Sequence, residues 1–98
     1  MVILKMNKRY SEKYVRAWGV ALEERMYDIG IDRRTLGKET QLCSGSIHNY
    51  IRAGILPNVI IARDICKALS WSVEAWAQRA EEILKEEEEI RKLYAIYD

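Results

Sequence analysis

The segment from Ser44 to Arg52 collects small, hydrogen-bonding side chains beside an apolar stripe. Ile47, Tyr50 and Ile51 recur at three- and four-residue spacing, which predicts a short helix that buries these three residues. The opposite face then presents Ser44, Gly45, Ser46, His48, Asn49 and Arg52. Such side chains offer donors and acceptors at short range, which suits a polar ligand, although simple solvation also produces polar helix faces.

Catalysis is not indicated by the residues available. His48 is the only histidine, so there is no second imidazole for a metal pair, and no carboxylate lies at helical spacing from it to activate a nucleophile. No glycine-rich phosphate loop occurs, and Cys43 and Cys66 lack both metal-ligand spacing and the density of a disulfide scaffold. We therefore expect no enzymatic activity, no catalytic residues, no metal, no cofactor, and two reduced thiols with Cys66 in the core.

Length and composition predict a single helical domain. The chain has 98 residues, of which 49% are hydrophobic, which suffices for one compact core. Phenylalanine is absent and proline occurs once, while helix-favouring residues dominate. The apolar run "MVIL" is too short for a signal sequence or a membrane span, so we expect a soluble, cytoplasmic protein without membrane association.

Charge is distributed unevenly along the chain. Residues 1–55 contain ten Lys/Arg and six Asp/Glu, whereas residues 56–98 contain six and nine. A basic first half suits a partner rich in phosphate, but ordinary scatter of surface charge would give the same balance.

Capping and breaking residues divide the chain into five predicted helices. The first begins at the N-cap Ser11 and ends at Gly30, and its inward positions are Tyr14, Val15, Trp18, Leu22, Arg25 or Met26, and Ile29. Asp32, Asn58 and Ser72 are the predicted N-caps of helices two, four and five. The other buried positions are predicted to be Leu36, Gly37, Thr40, Leu42, Ala62, Ile65, Cys66 and Leu69.

The fifth helix has no breaker after Ser72 and is predicted to run to about residue 96. Its apolar positions alternate four- and three-residue spacings, which is typical of a left-handed helix pair, with Glu87 as the one polar intruder. That stripe either pairs with a second chain or folds back onto helix one and leaves "KEEEE" solvated. We favour a homodimer, with the dimerisation residues Ile83, Ile90, Tyr94 and Tyr97.

The order of these signals resembles the helix-turn-helix of the Xre/Cro/phage-repressor family. The resemblance covers about residues 30–76 and rests on a small residue in helix two, an apolar residue after the turn, a Ser-Ile step, an aromatic three positions on, and a Gly followed by Leu-Pro. These landmarks are Gly37, Leu42, Ser46, Ile47, Tyr50, Gly54, Leu56 and Pro57, followed by "ICKALSWSVEAW". The resemblance implies an all-α, lambda-repressor-like five-helix domain with an extended C-terminal helix.

Three positions depart from the family pattern. Gln41 stands at the turn position usually occupied by Gly and must adopt a left-handed conformation. Arg33 replaces the Gln that usually opens helix two, so we expect it to hold a phosphate without reproducing the amide bridge to the recognition helix. Cys43 replaces the usual Ser cap, and Ser44 is the expected substitute.

The resemblance implies a sequence-specific transcriptional regulator, such as a phage-type or mobile-element repressor, that binds double-stranded DNA as a dimer on an inverted repeat. Asn49 suits a bidentate pair with adenine, and the other candidates for base contact are Ser44, Gly45, Ser46 and His48. The backbone contacts fall to Arg33, Arg34, Lys38 and Arg52. Residues 1–10 would be an N-terminal arm, either flexible and basic or a short strand that needs a partner. Residues 11–71 would be the DNA-binding domain, and residues 72–98 the dimerisation helix.

Two other interpretations remain. The acidic C-terminal helix is also suited to binding another protein, as in an antitoxin-like adaptor whose DNA binding is secondary or lost. The segment "SIHNYIRAGILP" also looks like an excisionase or MerR-type motif. Those families continue into a basic β-wing, whereas this sequence continues as helix, so we rank that interpretation well below.

Overall fold

Five helices make up the part of the chain that the structure describes. The structure is a computed structural model that describes the backbone of residues 8–97 and the side chains of residues 12–95. In chain order the helices are α1 Lys8–Ile29, α2 Arg33–Thr40, α3 Ser44–Arg52, α4 Val59–Ala68 and α5 Val73–Tyr97. No strand occurs within residues 8–97, so the all-α prediction with its extended C-terminal helix is confirmed.

The predicted cap residues define most of the helix boundaries. The side chains of Asp32, Asn58 and Ser72 each accept a hydrogen bond from the backbone amide three residues later, at 2.7, 2.9 and 3.0 Å. These bonds satisfy donors that the first helical turn leaves free, which confirms all three caps. Helix α1 ends as predicted at Gly30, where φ is 79° and the next amide donates to the Met26 carbonyl at 3.0 Å.

The start of α1 differs from the sequence prediction. The helix begins at Lys8, so Ser11 lies inside it and is not the N-cap. Neither Gly nor Pro occurs between these residues, so nothing stops the helix from extending toward the N-terminus. The last three residues of the expected arm, 8–10, are therefore helical, and residues 1–7 lie outside the described part.

The core is formed where α1 packs along α5 and contacts α3, while α2 packs against α3 and α4. Trp76 is 1% exposed, and its indole Nε1 donates to the Trp18 carbonyl at 2.9 Å. Ile29, predicted to be buried, is 44% exposed. The chain reverses directly after it, so Ile31 packs on the core in its place. The buried core residues are Ala17, Ala21, Leu22, Met26, Leu36, Ile47, Ile51, Ala62, Ile65, Cys66, Leu69, Trp76, Ala80 and Ile83.

Helix α5 divides its apolar stripe between two environments. Ile83, predicted to lie in a dimer seam, is 5% exposed and belongs to the core of its own chain, which leaves little of its side chain for a second chain. Ile90 and Tyr94 are 52% and 69% exposed, and the side chain of Tyr97 lies outside the described part. A helix of 25 residues spans about 37 Å, and its distal residues 88–95 are all exposed.

Polar contacts fix α1 against α5 and the α4–α5 connection. Arg79 donates to both carboxylate oxygens of Glu24, at 2.8 and 3.0 Å, and this hydrogen bonding holds the pKa of Glu24 below its usual value. Arg25 donates to the carbonyl oxygens of Leu69 and Ser70, at 3.0 to 3.1 Å, at the C-terminal end of α4. Among the described residues, no helix has the length and apolar composition that crossing a membrane requires.

Candidate nucleic-acid interface

Helices α2 and α3 form a helix-turn-helix whose turn has one strained residue. Gln41 has φ 60° and ψ 34°, the left-handed conformation that the family resemblance implied. The turn closes tightly on α2, because the Leu42 amide donates to the Gly37 carbonyl at 2.8 Å. A Cβ atom on Gly37 would lie 2.6 Å from the Leu42 carbonyl oxygen, so only glycine fits there without a shift of backbone.

Helix α3 is anchored by its inner face and exposes the polar face predicted from the sequence. Ile47 and Ile51 are 0% and 6% exposed, and Tyr50 is half-buried against the core. Gly19 lets α1 approach closely, since a Cβ there would lie 2.8 Å from the Tyr50 carbonyl oxygen. The exposed residues of α3 include Ser44, Gly45, His48, Asn49 and Arg52.

The N-terminus of α3 differs in detail from the prediction. Cys43 occupies the N-cap position without a side-chain capping bond, and Ser44 is the first helical residue, so Ser44 does not replace the missing cap. The Cys43 Sγ instead lies 3.3 Å from the Ser46 Oγ, and hydrogen bonding from Ser46 lowers the pKa of the Cys43 thiol. Ser46 was predicted to lie on the exposed face but is half-buried, and the contact with Cys43 engages its hydroxyl within the turn.

Arg33 bridges α2 and the recognition helix α3, a contact that the sequence did not predict. One guanidinium nitrogen lies 3.2 Å from the His48 Nδ1, and the other lies 3.5 Å from a Glu23 carboxylate oxygen. Arg52 lies 3.2 Å from the same oxygen. The missing amide bridge is thus replaced by a guanidinium bridge. Glu23 was not identified from the sequence, because no local spacing relates a residue of α1 to partners in α2 and α3.

The cations assigned to phosphate contacts fall into two groups. Arg33 and Arg52 share Glu23, which offsets part of their charge. Arg34 and Lys38 are exposed on α2, and neither takes part in an ion pair found within the described residues. All four lie on or beside the helix-turn-helix. Their contacts with DNA, like the base contacts assigned to α3, remain predictions.

Comparison with known proteins supports the fold. The sequence matches no family model and no curated protein. The structure is similar to the crystal structure of the clp gene regulator ClgR from Corynebacterium glutamicum, with a TM-score of 0.80 and 20% sequence identity over 85% of this chain and 88% of that chain. At this identity the similarity shows the fold alone. The five-helix, helix-turn-helix fold class inferred from the sequence is therefore confirmed.

Proposed function

We propose that this protein is a sequence-specific DNA-binding transcriptional regulator of the Xre/Cro/phage-repressor type. The proposal rests on the orientation of α3, whose buried residues Ile47 and Ile51 hold it on the core so that a face of small polar residues points outward. A helix of this kind fits the major groove, where base edges present donors and acceptors. The similar fold of ClgR, a gene regulator by name, supports the same function.

Helix α3 contacts the DNA bases, and the cations of α2, together with Arg52, contact the phosphates. Asn49 is the residue suited to bidentate pairing with adenine, and Ser44, Gly45 and His48 contribute further base contacts. Ser46 joins them when its hydroxyl turns away from the Cys43 Sγ. Arg34 and Lys38 are available for phosphates without breaking any ion pair of the described part. Arg33 and Arg52 reach phosphates from the cluster around Glu23.

We further propose that the protein dimerises through the distal part of α5. Ile90, Leu93 and Tyr94 form an exposed apolar stripe at helical spacing, to which Tyr97 adds by sequence. An antiparallel pair would set Lys85, Arg91 and Lys92 opposite the glutamates of residues 86–89. The twofold symmetry of such a dimer makes the operator an inverted repeat, and the two recognition helices lie about 34 Å apart, one turn of the DNA helix.

DNA titration tests the proposal, after a preferred site is selected from random sequence. Asn49→Ala should weaken binding to the selected site by about 1 to 3 kcal/mol and relax base preference at one position. Arg34→Ala is the matched control, because it should weaken all sequences alike and reduce the salt slope by about one. Equal loss of discrimination in both variants would contradict this division, and no salt-sensitive DNA binding by the parent would refute the function.

Sedimentation of the full chain tests the dimer. The double variant Ile90→Ser/Tyr94→Ser should be monomeric at tens of micromolar, where the parent is dimeric. Ile60→Ser is the control, because Ile60 is 72% exposed but lies on α4, away from the stripe. Truncation after Arg79 is unsuitable, since it removes the buried Ile83. A parent that is monomeric and binds one half-site as tightly as the full site would favour the adaptor function instead.

A further inference from the structure

We infer that Arg33 fixes the hydrogen-bonding polarity of His48, so that α3 presents His48 to DNA as a donor and selects guanine over cytosine. The inference rests on the proposed DNA-binding function and adds to it a positioning residue outside the recognition helix. It also names the base that His48 reads.

The geometry determines which imidazole nitrogen carries the proton. A guanidinium group can only donate, so the His48 Nδ1 must accept the 3.2 Å hydrogen bond from Arg33. A neutral imidazole with an accepting Nδ1 carries its proton on Nε2. Glu23 holds the guanidinium from its other side at 3.5 Å, so Arg33 is positioned between α1 and α3. His48 is exposed, which leaves its Nε2–H for an external acceptor.

Base chemistry then ranks the possible targets. In the major groove guanine presents two acceptors, N7 and O6, with no donor beside them, whereas cytosine presents only the donor N4 amino group. Adenine pairs one acceptor with a donor, and thymine pairs one acceptor with a methyl group. A side chain that only donates therefore favours guanine most and cytosine least.

Binding to the selected site tests this inference on the full-length chain. At one position the parent should prefer G·C over C·G by about tenfold, the size of one good base contact. Arg33→Ala and His48→Ala should each reduce that preference to about twofold or less, and the double variant should reduce it no further. Arg33→Lys retains a donor and should recover part of the preference. Arg34→Ala should weaken binding without changing base preference.

Nitrogen NMR of the free protein tests the mechanism without DNA. His48 is the only histidine, so the imidazole signals need no assignment. The parent should show a protonated Nε2 and an accepting Nδ1, and Arg33→Ala should shift the Nδ1 signal while Arg34→Ala should not. A protonated Nδ1 in the parent would overturn the inference. So would discrimination that survives both Arg33→Ala and His48→Ala, and in that case the DNA-binding function would still stand. A parent that discriminates no sequence would overturn both proposals, whatever the imidazole spectrum.

Discussion

Replacing Gln41 with glycine should stabilise the protein, because the structure places a non-glycine residue in the left-handed conformation. Gln41 has φ 60° and ψ 34°, and this conformation costs an L-residue about 1 to 2 kcal/mol. Glycine removes that strain but adds about 0.4 to 1 kcal/mol of backbone entropy to the unfolded state. The exposed Gln41 side chain makes no hydrogen bond or ion pair that would be lost within the described part. The net gain should therefore lie between about 0 and 1.6 kcal/mol, with a central value of about 0.8 kcal/mol.

Thermal and urea unfolding measure this gain, with the tryptophans as a fluorescence probe. For a domain of this size, a central gain of about 0.8 kcal/mol should raise the melting temperature by about 3 to 6 °C. Gln41→Ala is the control, since alanine retains a Cβ and should leave the stability within about 0.5 kcal/mol of the parent. If Gln41→Gly is no more stable than Gln41→Ala, the turn does not have the strained geometry on which the reasoning depends.

Three further predictions concern the core and its ion pairs. Ile47→Ala should lower the free energy of unfolding by about 2 to 5 kcal/mol, because the side chain is fully buried under α3, and urea unfolding would show a smaller loss if it were not. Glu23→Gln should strengthen binding to all DNA sequences, because it frees Arg33 and Arg52 from their shared ion pair, and it should change the free energy of unfolding by less than about 1 kcal/mol. Weaker DNA binding in filter titrations would contradict this. Because the pKa of Glu24 is lower in the folded than in the unfolded protein, its ionised carboxylate stabilises the fold at pH values above the ordinary pKa of 4.5. This contribution is lost as the pH falls through the lowered pKa of the folded protein. Glu24→Gln should therefore reduce the loss of unfolding free energy on acidification by less than about 1 kcal/mol, since the Glu24 side chain is 42% exposed. If the variant loses as much stability in acid as the parent, the Glu24–Arg79 ion pair does not cause the loss.

Much of the fold and of the candidate interface was predictable because it depends on local signals. Each of the caps Asp32, Asn58 and Ser72 bonds to an amide only three residues away, so residue type and position were enough to identify it. The outer face of α3 followed from the buried spacing of Ile47 and Ile51. The start of α1 was missed, because Ser11 can cap a helix but nothing before it prevents the helix from extending.

Residue spacing along the chain is enough to predict which residues share a helix face, whereas the packing of the helices determines what covers each face. Periodicity placed Ile83 and Ile90 on one stripe of α5, but only the packing of α1 shows that Ile83 is buried while Ile90 is exposed. The bridge from Arg33 to His48, and the position of Glu23 beside it, likewise depend on how three helices meet. These two contacts join residues that are 15 and 10 positions apart in different helices, and spacing along one helix carries no information about the distance between two helices.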